Sequence, residues 1–61
     1  MPIIDISMLE GRSDEMKAEI IKEITDAFCR VTGNAPDSVR VLLRDVPHAS
    51  WGAGGVPKEK P

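Results

Sequence analysis

The stretch SDEMKAEIIKEITDAFCRVTGN, residues 13–34, decides the fold. Its apolar positions Met16, Ile20, Ile21, Ile24, Ala27, Phe28 and Val31 recur at spacings of three and four, which lines them along one side of a helix. Lys17, Glu19, Lys22, Glu23, Asp26 and Arg30 fall mostly on the solvent side. Both ends are marked as well. Gly11 turns the chain, Ser13 offers a hydroxyl to the first free amides, and Asp14 and Glu15 set negative charge at the positive end of the helix dipole. Gly33-Asn34 is a left-handed stop, and Pro36 prevents easy continuation. The pattern predicts a helix from near Asp14 to near Thr32, its stripe packed on a sheet.

Runs rich in β-branched residues flank this helix on both sides. Residues 2–8 alternate Ile4, Ile6 and Met8 against Asp5 and Ser7, a strand with one dry face. Ile3 and Leu9 fall on the Asp5 face, which implies that this second face is partly covered too. Residues 38–46 alternate Val39, Val41 and Leu43 against Arg40, Leu42 and Arg44, so both arginines project from one face. Two strands separated by a long helix cannot form a hairpin, and the natural solution is a right-handed β-α-β unit with parallel strands. A two-stranded sheet is marginal in water, whereas pairing with a second copy gives four strands backed by two helices. Trp51-Gly52-Ala53-Gly54-Gly55 then reads as a turn or small hairpin able to cross to a neighbouring subunit. The Pro-Lys-Glu-Lys-Pro tail, residues 57–61, reads as frayed. With no repeat, linker or second unit visible, residues 1–61 are read as a single domain.

Size and composition narrow the function classes. A chain of 61 residues buries only about 60% of its unfolded surface when it folds alone. One cysteine, Cys29, excludes an intramolecular disulfide, and no cysteine-histidine cluster offers a structural metal site. Self-association is the remaining source of stability. The net charge of −2 and the absence of a basic run leave no electrostatic footprint for nucleic acid. No apolar stretch approaches the ~20 residues of a membrane span, and an N-terminus carrying Asp5 and Glu10 lacks the features of a signal peptide. A soluble, cytoplasmic protein with neither nucleic-acid nor membrane partners is expected.

Three groups carry potential chemistry: the amine of Pro2, the guanidiniums of Arg12 and Arg40, and the indole of Trp51. Pro2 directly follows Met1. With Met1 removed, the chain begins with a secondary amine at a strand edge. An ordinary α-amino group titrates near ~8, so modest desolvation or nearby cations bring such an amine to neutrality. With Met1 retained, Pro2 merely follows a start. Arg12 lies in the loop after the first strand, either as a ligand anchor or as a solvated group or ion-pair partner of Asp14 or Glu10. Arg40 is likewise either a binding group or the partner of a carboxylate on a neighbouring strand or chain, a role that suits Arg44, close to Asp45, better. His48 follows Pro47 without a placed serine, cysteine or carboxylate partner and reads as an exposed loop histidine. Cys29 reads as a packing residue rather than a nucleophile. The glycines after Trp51 lack the Walker lysine-serine pair and the strand-to-helix setting of a dinucleotide turn, so they serve backbone geometry.

Taken together, Met1-Pro2-Ile3-Ile4, Leu9-Glu10-Gly11-Arg12-Ser13, Ser38-Val39-Arg40-Val41 and Trp51-Gly52-Ala53-Gly54-Gly55 resemble the 4-oxalocrotonate tautomerase family in order and spacing over nearly the whole chain. The resemblance implies an α+β tautomerase fold: two parallel strands, one long helix and a C-terminal hairpin, assembled into dimers and a hexamer, in some relatives from two kinds of chain. It also implies roles. Pro2 would be the general base of a cofactor-free keto-enol tautomerase of the 2-hydroxymuconate type, active in aromatic hydrocarbon catabolism. Arg12 and Arg40 would bind and polarise a dicarboxylate or keto/enol acid. Leu9, Ser38 and Trp51 would line its pocket, with Arg40 or Trp51 serving a neighbour's Pro2.

The implied roles agree with elementary chemistry. Moving a proton between an enol oxygen and a distant carbon needs a base near neutrality and electrophilic help. Arginine disfavours a charged prolinium by like-charge repulsion, tryptophan disfavours it by excluding water, and the planar fork of arginine grips a carboxylate. The chain departs from the best-known members in carrying Trp51 where they carry phenylalanine, which leaves the choice of acid open. Related folds support dehalogenation, hydration and decarboxylation of small unsaturated acids. Water addition usually requires an extra carboxylate, and the sequence places none near Trp51 except Asp45, six residues before it, and Glu59. With Met1 retained, the alternative is a non-catalytic assembly or anion-binding chain.

Overall fold

A computed structural model describes residues 1–59. The first strand, β1 (Ile3–Leu9), is followed by the helix α1 (Asp14–Thr32), a one-turn 3-10 helix (Pro36–Ser38) and the strand β2 (Arg40–Val46). A second 3-10 turn (His48–Ser50) leads into two short strands, β3 (Gly52–Ala53) and β4 (Val56–Pro57). The helix has the predicted bounds because both caps are chemically sound. The Ser13 hydroxyl accepts from the Met16 amide at 3.2 Å, and Gly33 takes φ 79°, donating its own amide to the Cys29 carbonyl.

The strands are one residue out of place at the start and, for the second, two. β1 extends to Leu9, and Ser38 belongs to the 3-10 turn, which Pro36 opens with its fixed φ and the Ser38 hydroxyl closes by donating to the Ala35 carbonyl at 2.7 Å. The pairing is parallel, with Ile3 opposite Arg40, Ile6 opposite Leu43 and Leu9 opposite Val46. Ile4, Ile6 and Met8 on β1 and Val41 and Leu43 on β2 are half-buried, whereas Ile3, Asp5, Ser7, Arg40, Leu42 and Arg44 are exposed. One face of the sheet is therefore turned to α1, whose half-buried positions include Ile20, Ile24, Ala27 and Phe28.

Ion pairs follow the two-residue period of the strands. On the outer face Arg44 grips Asp5 with two parallel bonds, Nε to Oδ1 at 2.9 Å and Nη2 to Oδ2 at 3.1 Å. Its partner is thus on the neighbouring strand and not the adjacent Asp45, which points to the opposite face and binds Lys17. Lys17, expected in solvent, is half-buried for that reason, and its hydrogen bond to Asp45 raises its pKa above the ordinary value. The hydrogen bond to Asp5 does the same for Arg44. On the helix surface Lys22 and Asp26 pair one turn apart at 2.6 Å.

The C-terminal segment forms the expected hairpin. Gly52 pairs with Pro57 and Ala53 with Val56, and Gly54 and Gly55 turn the chain with φ of 61° and 81°. Two successive positive φ values match the right-handed twist of the flanking strands and favour residues without a Cβ. Pro57, read as frayed, is instead paired, and the Lys58 amide donates to the Trp51 carbonyl at 2.8 Å. Glu59 is exposed without regular structure, and residues 60 and 61 of that tail lie outside the described residues.

The core is thin. Among the described residues Val39 alone is buried, at 7% exposure, while Ile3 at 64% and Val31 at 80% stand in solvent. The helical stripe is correspondingly split, since Met16, Ile21 and Val31 are exposed. A protomer with so little buried apolar area cannot offset its loss of chain entropy. The midpoint of thermal unfolding is expected to rise with protein concentration, by a few degrees per tenfold, in calorimetric scans over two decades of concentration. A concentration-independent midpoint would mean that the isolated protomer is sufficient.

Candidate active site

The parallel register sorts the candidate residues into two groups. At the start of the ladder the Arg40 amide donates to the Pro2 carbonyl at 3.0 Å, so these two residues share the first rung. Pro2 is half-buried there, with Met1 exposed beyond it. The Arg40 guanidinium folds back over the 3-10 turn, Nη1 donating to the Asp37 carbonyl at 2.6 Å and to the Val39 carbonyl at 3.4 Å. Ser38 is delivered to the same end by that turn. Pro2, Ser38 and Arg40 thus occupy one pole of the sheet.

Leu9 closes the ladder at the other end, opposite Val46, and the Glu10 amide adds one bond to the Val46 carbonyl at 2.9 Å. Arg12 curls back, its Nη1 donating to the Leu9 carbonyl at 3.0 Å rather than pairing with Asp14 or Glu10. Trp51 follows the 3-10 turn beyond Val46, its amide bonded to the His48 carbonyl at 3.1 Å. Leu9, Arg12 and Trp51 therefore belong to the second pole. Seven residues of strand separate it from the first, about 20 Å at about 3.3 Å per residue. One chain brings together each trio but not the two trios.

The arginines differ in a way that bears on binding. Among the described residues Arg44 is committed to a carboxylate, whereas Arg12 and Arg40 hydrogen-bond to backbone carbonyls. A guanidinium carries five donors, so both keep charge and donors for an incoming anion. Among the described residues no group of three or more histidine, cysteine or acidic side chains is placed to hold a metal ion. An apolar groove of about 310 Å³ runs along α1, lined by Met16, Glu19, Ile20, Glu23 and Ile24, and includes none of the candidate residues.

Sequence reasoning missed one pair at the second pole. His48, expected to be exposed and without a carboxylate, has a side chain only 12% exposed, and its Nδ1 lies 2.7 Å from Glu10 Oε2. The same oxygen accepts from the His48 backbone amide at 2.9 Å. An acid therefore does stand at the turn leading to Trp51. It comes from 38 residues upstream, which a linear search around Trp51 cannot find. The parallel register was the available signal: with Leu9 opposite Val46, the residues just past each strand end emerge side by side.

Comparison with known proteins agrees with this architecture. Residues 2–60 match the family model of the tautomerase enzymes. The chain is 45% identical over 56 residues to a 2-hydroxymuconate tautomerase of Comamonas testosteroni, covering 92% of this chain and 89% of the relative. Among solved structures, a 4-oxalocrotonate tautomerase isozyme of Methylibium petroleiphilum superposes with a TM-score of 0.85 at 39% identity, covering 92% of this chain and 90% of the other. A heterohexameric 4-oxalocrotonate tautomerase of Chloroflexus aurantiacus superposes with a TM-score of 0.86 at 35% identity, covering 93% and 92%.

Because the shortest bonds of Arg12 and Arg40 go to the exposed Leu9 and Asp37 carbonyls, which water can satisfy, Arg12→Ala and Arg40→Ala are each expected to leave folding stability within about 0.5 kcal/mol of wild type. Urea unfolding followed by circular dichroism checks this. A larger loss in either would assign that arginine a structural role.

Proposed function

The chain belongs to the tautomerase family, and on that premise we propose that residues 1–61 form a single-domain, cofactor-free keto-enol tautomerase acting on a 2-hydroxy-2,4-dienoate such as 2-hydroxymuconate. Its base is the secondary amine of Pro2, freed by removal of Met1. The observation that carries the reading is the shared first rung of the sheet, where Arg40 is bonded to Pro2 through the backbone at 3.0 Å. With Met1 removed, the Pro2 amine would stand at the end of the ladder that holds Arg40, whose guanidinium bonds to carbonyls rather than to a carboxylate among the described residues.

The mechanism has three parts. Neutral Pro2 accepts the enol proton and returns it to the distal carbon, a transfer that conserves charge and needs no redox partner. Arg40 and Arg12 hold the carboxylates and stabilise the charge that develops on the carbonyl oxygen of the dienolate. Trp51 walls the pocket with Leu9 and Ser38 and excludes water. Cationic arginine and a drier pocket both disfavour prolinium, lowering the amine's pKa, so the base is in its working form near neutral pH.

Since the poles stand about 20 Å apart, a complete site takes Arg12 and Trp51 from another chain. The exposed Ile3 and Leu42 on the outer sheet face and the unpaired strand edges provide surface for such assembly. We place the protein in a dimer-based oligomer, a homohexamer or an assembly with a second similar chain. Degradation of aromatic compounds in the cytoplasm is the setting that fits a dienol diacid substrate.

Intact mass and 2-hydroxymuconate ketonisation, followed spectroscopically on one sample, test the reading. Turnover by a chain lacking Met1 is expected, whereas retained Met1 with no turnover would make a binding or assembly chain the better description. Pro2→Ala is expected to lower kcat on the order of 10²-fold, and Arg40→Ala to lose kcat as well as affinity. Unchanged kinetics in both would remove the proposed roles.

A shared site makes a separate prediction. A refolded mixture of Pro2→Ala and Arg12→Ala chains is expected to recover activity that neither has alone, because some interfaces then carry both intact groups. A mixture as inactive as its parts would place each site within one chain.

A further inference from the structure

We propose that Glu10 and His48 are positioning residues that fasten the loop carrying Arg12 to the turn carrying Trp51. The inference starts from a single oxygen. Glu10 Oε2 takes both the backbone amide of His48, at 2.9 Å, and the ring Nδ1, at 2.7 Å. His48 is the first residue of its 3-10 turn, where the backbone amide has no partner within the turn and an acceptor must be supplied from elsewhere. Pro47, immediately before it, has no amide proton to offer in competition.

The connection continues to Trp51 through the backbone. The His48 carbonyl accepts the Trp51 amide at 3.1 Å, and the Trp51 carbonyl accepts the Lys58 amide at 2.8 Å, so the tryptophan backbone is held on both sides. Residues 49–59 are otherwise exposed throughout. His48, with its side chain 12% exposed, is the one well-covered group of this C-terminal segment among the described residues. On the other side of the clamp, Glu10 sits between Leu9, whose carbonyl holds the Arg12 guanidinium at 3.0 Å, and Arg12 itself. One carboxylate thereby sets the spacing between an anion-binding arginine and the aromatic wall. With a proton on Nδ1, the ring nitrogen and the backbone amide both donate to the same carboxylate oxygen.

The kinetic part of this inference rests on the tautomerase reading, but the clamp has a readout that needs no substrate. Trp51 is the chain's only tryptophan, so its fluorescence reports this turn alone. Acrylamide quenching of assembled, full-length protein is compared for wild type, Glu10→Ala, Glu10→Gln and His48→Ala. The clamp predicts that Glu10→Ala and His48→Ala raise the quenching constant about twofold, as expected of a locally opened segment. The double variant should be no worse than Glu10→Ala, because both changes break one unit. Glu10→Gln keeps an acceptor oxygen and should restore most of the protection.

With 2-hydroxymuconate as substrate, Glu10→Ala is expected to lower kcat/KM about tenfold through misplacement of the wall, the loss appearing in KM. A merely destabilised enzyme would lose active fraction in kcat and leave KM alone. If Glu10→Ala does not fold, His48→Ala, which leaves Glu10 on the backbone amide, carries the test. Unchanged quenching in a folded variant, or additive effects in the double variant, would overturn the clamp. Altered quenching without any turnover by wild type would uphold the clamp and overturn the tautomerase reading instead.

Discussion

Parallel strands cannot be joined by a tight turn, and the ladder between β1 and β2 therefore controls where the other functional groups stand. Its register places Ile3 opposite Arg40 and Leu9 opposite Val46. From that alone follow the shared rung of Pro2 and Arg40, the emergence of Glu10 beside the chain leaving β2, and the division of side chains between a helix-facing and an outer surface. A slip of β2 by one residue would turn Arg40, Leu42 and Arg44 toward the helix. The Asp5–Arg44 fork and the Lys17–Asp45 pair, on opposite faces, both oppose such a slip. Exposed ion pairs add little stability, so their contribution is better understood as fixing alignment.

The same ladder leaves the protomer incomplete. Among the described residues only Val39, just before β2, is buried, and the outer face keeps Ile3 and Leu42 in solvent. An apolar groove on α1 remains uncovered. For a chain of this length, whose single cysteine allows no internal disulfide, other chains are the source of additional burial. The chemical division of the molecule matches this physical one, because amine and aromatic wall lie at opposite ends of a strand. On the proposed reading, stability and a complete site have one common requirement, which is association.

Within each pole, the arginines proposed to bind a ligand are those without a carboxylate partner among the described residues. Arg44 is occupied by Asp5, while Arg12 and Arg40 rest on carbonyls. The aromatic residue is carried on a segment with little burial of its own, tied back by a carboxylate. Such an arrangement separates rigid support, provided by the ladder, from an adjustable wall, provided by the turn and hairpin. On the proposed reading, Pro2 and Arg40 are fixed by the ladder, while Arg12 and Trp51 are carried by connecting segments that can change without altering the sheet.

The sequence by itself determined what depends on neighbours along the chain. Ser13, Gly33 and the three-and-four spacing between them set the bounds of α1, and the paired glycines after Ala53 set the hairpin, because caps and turns are satisfied locally. The order of strand, helix and strand also fixed the parallel pairing. The motifs around Pro2, Arg12, Arg40 and Trp51 were enough to identify the family. Tertiary structure decided which groups meet across the ladder. It assigned Asp5 to Arg44 and Asp45 to Lys17, withdrew Ser38 from β2, split the helical stripe and buried His48 against Glu10. It also separated the site residues into two poles. None of this is legible in a linear pattern, since a side chain's partner across parallel strands lies more than 30 residues away in sequence and is set by register, which only the folded ladder defines.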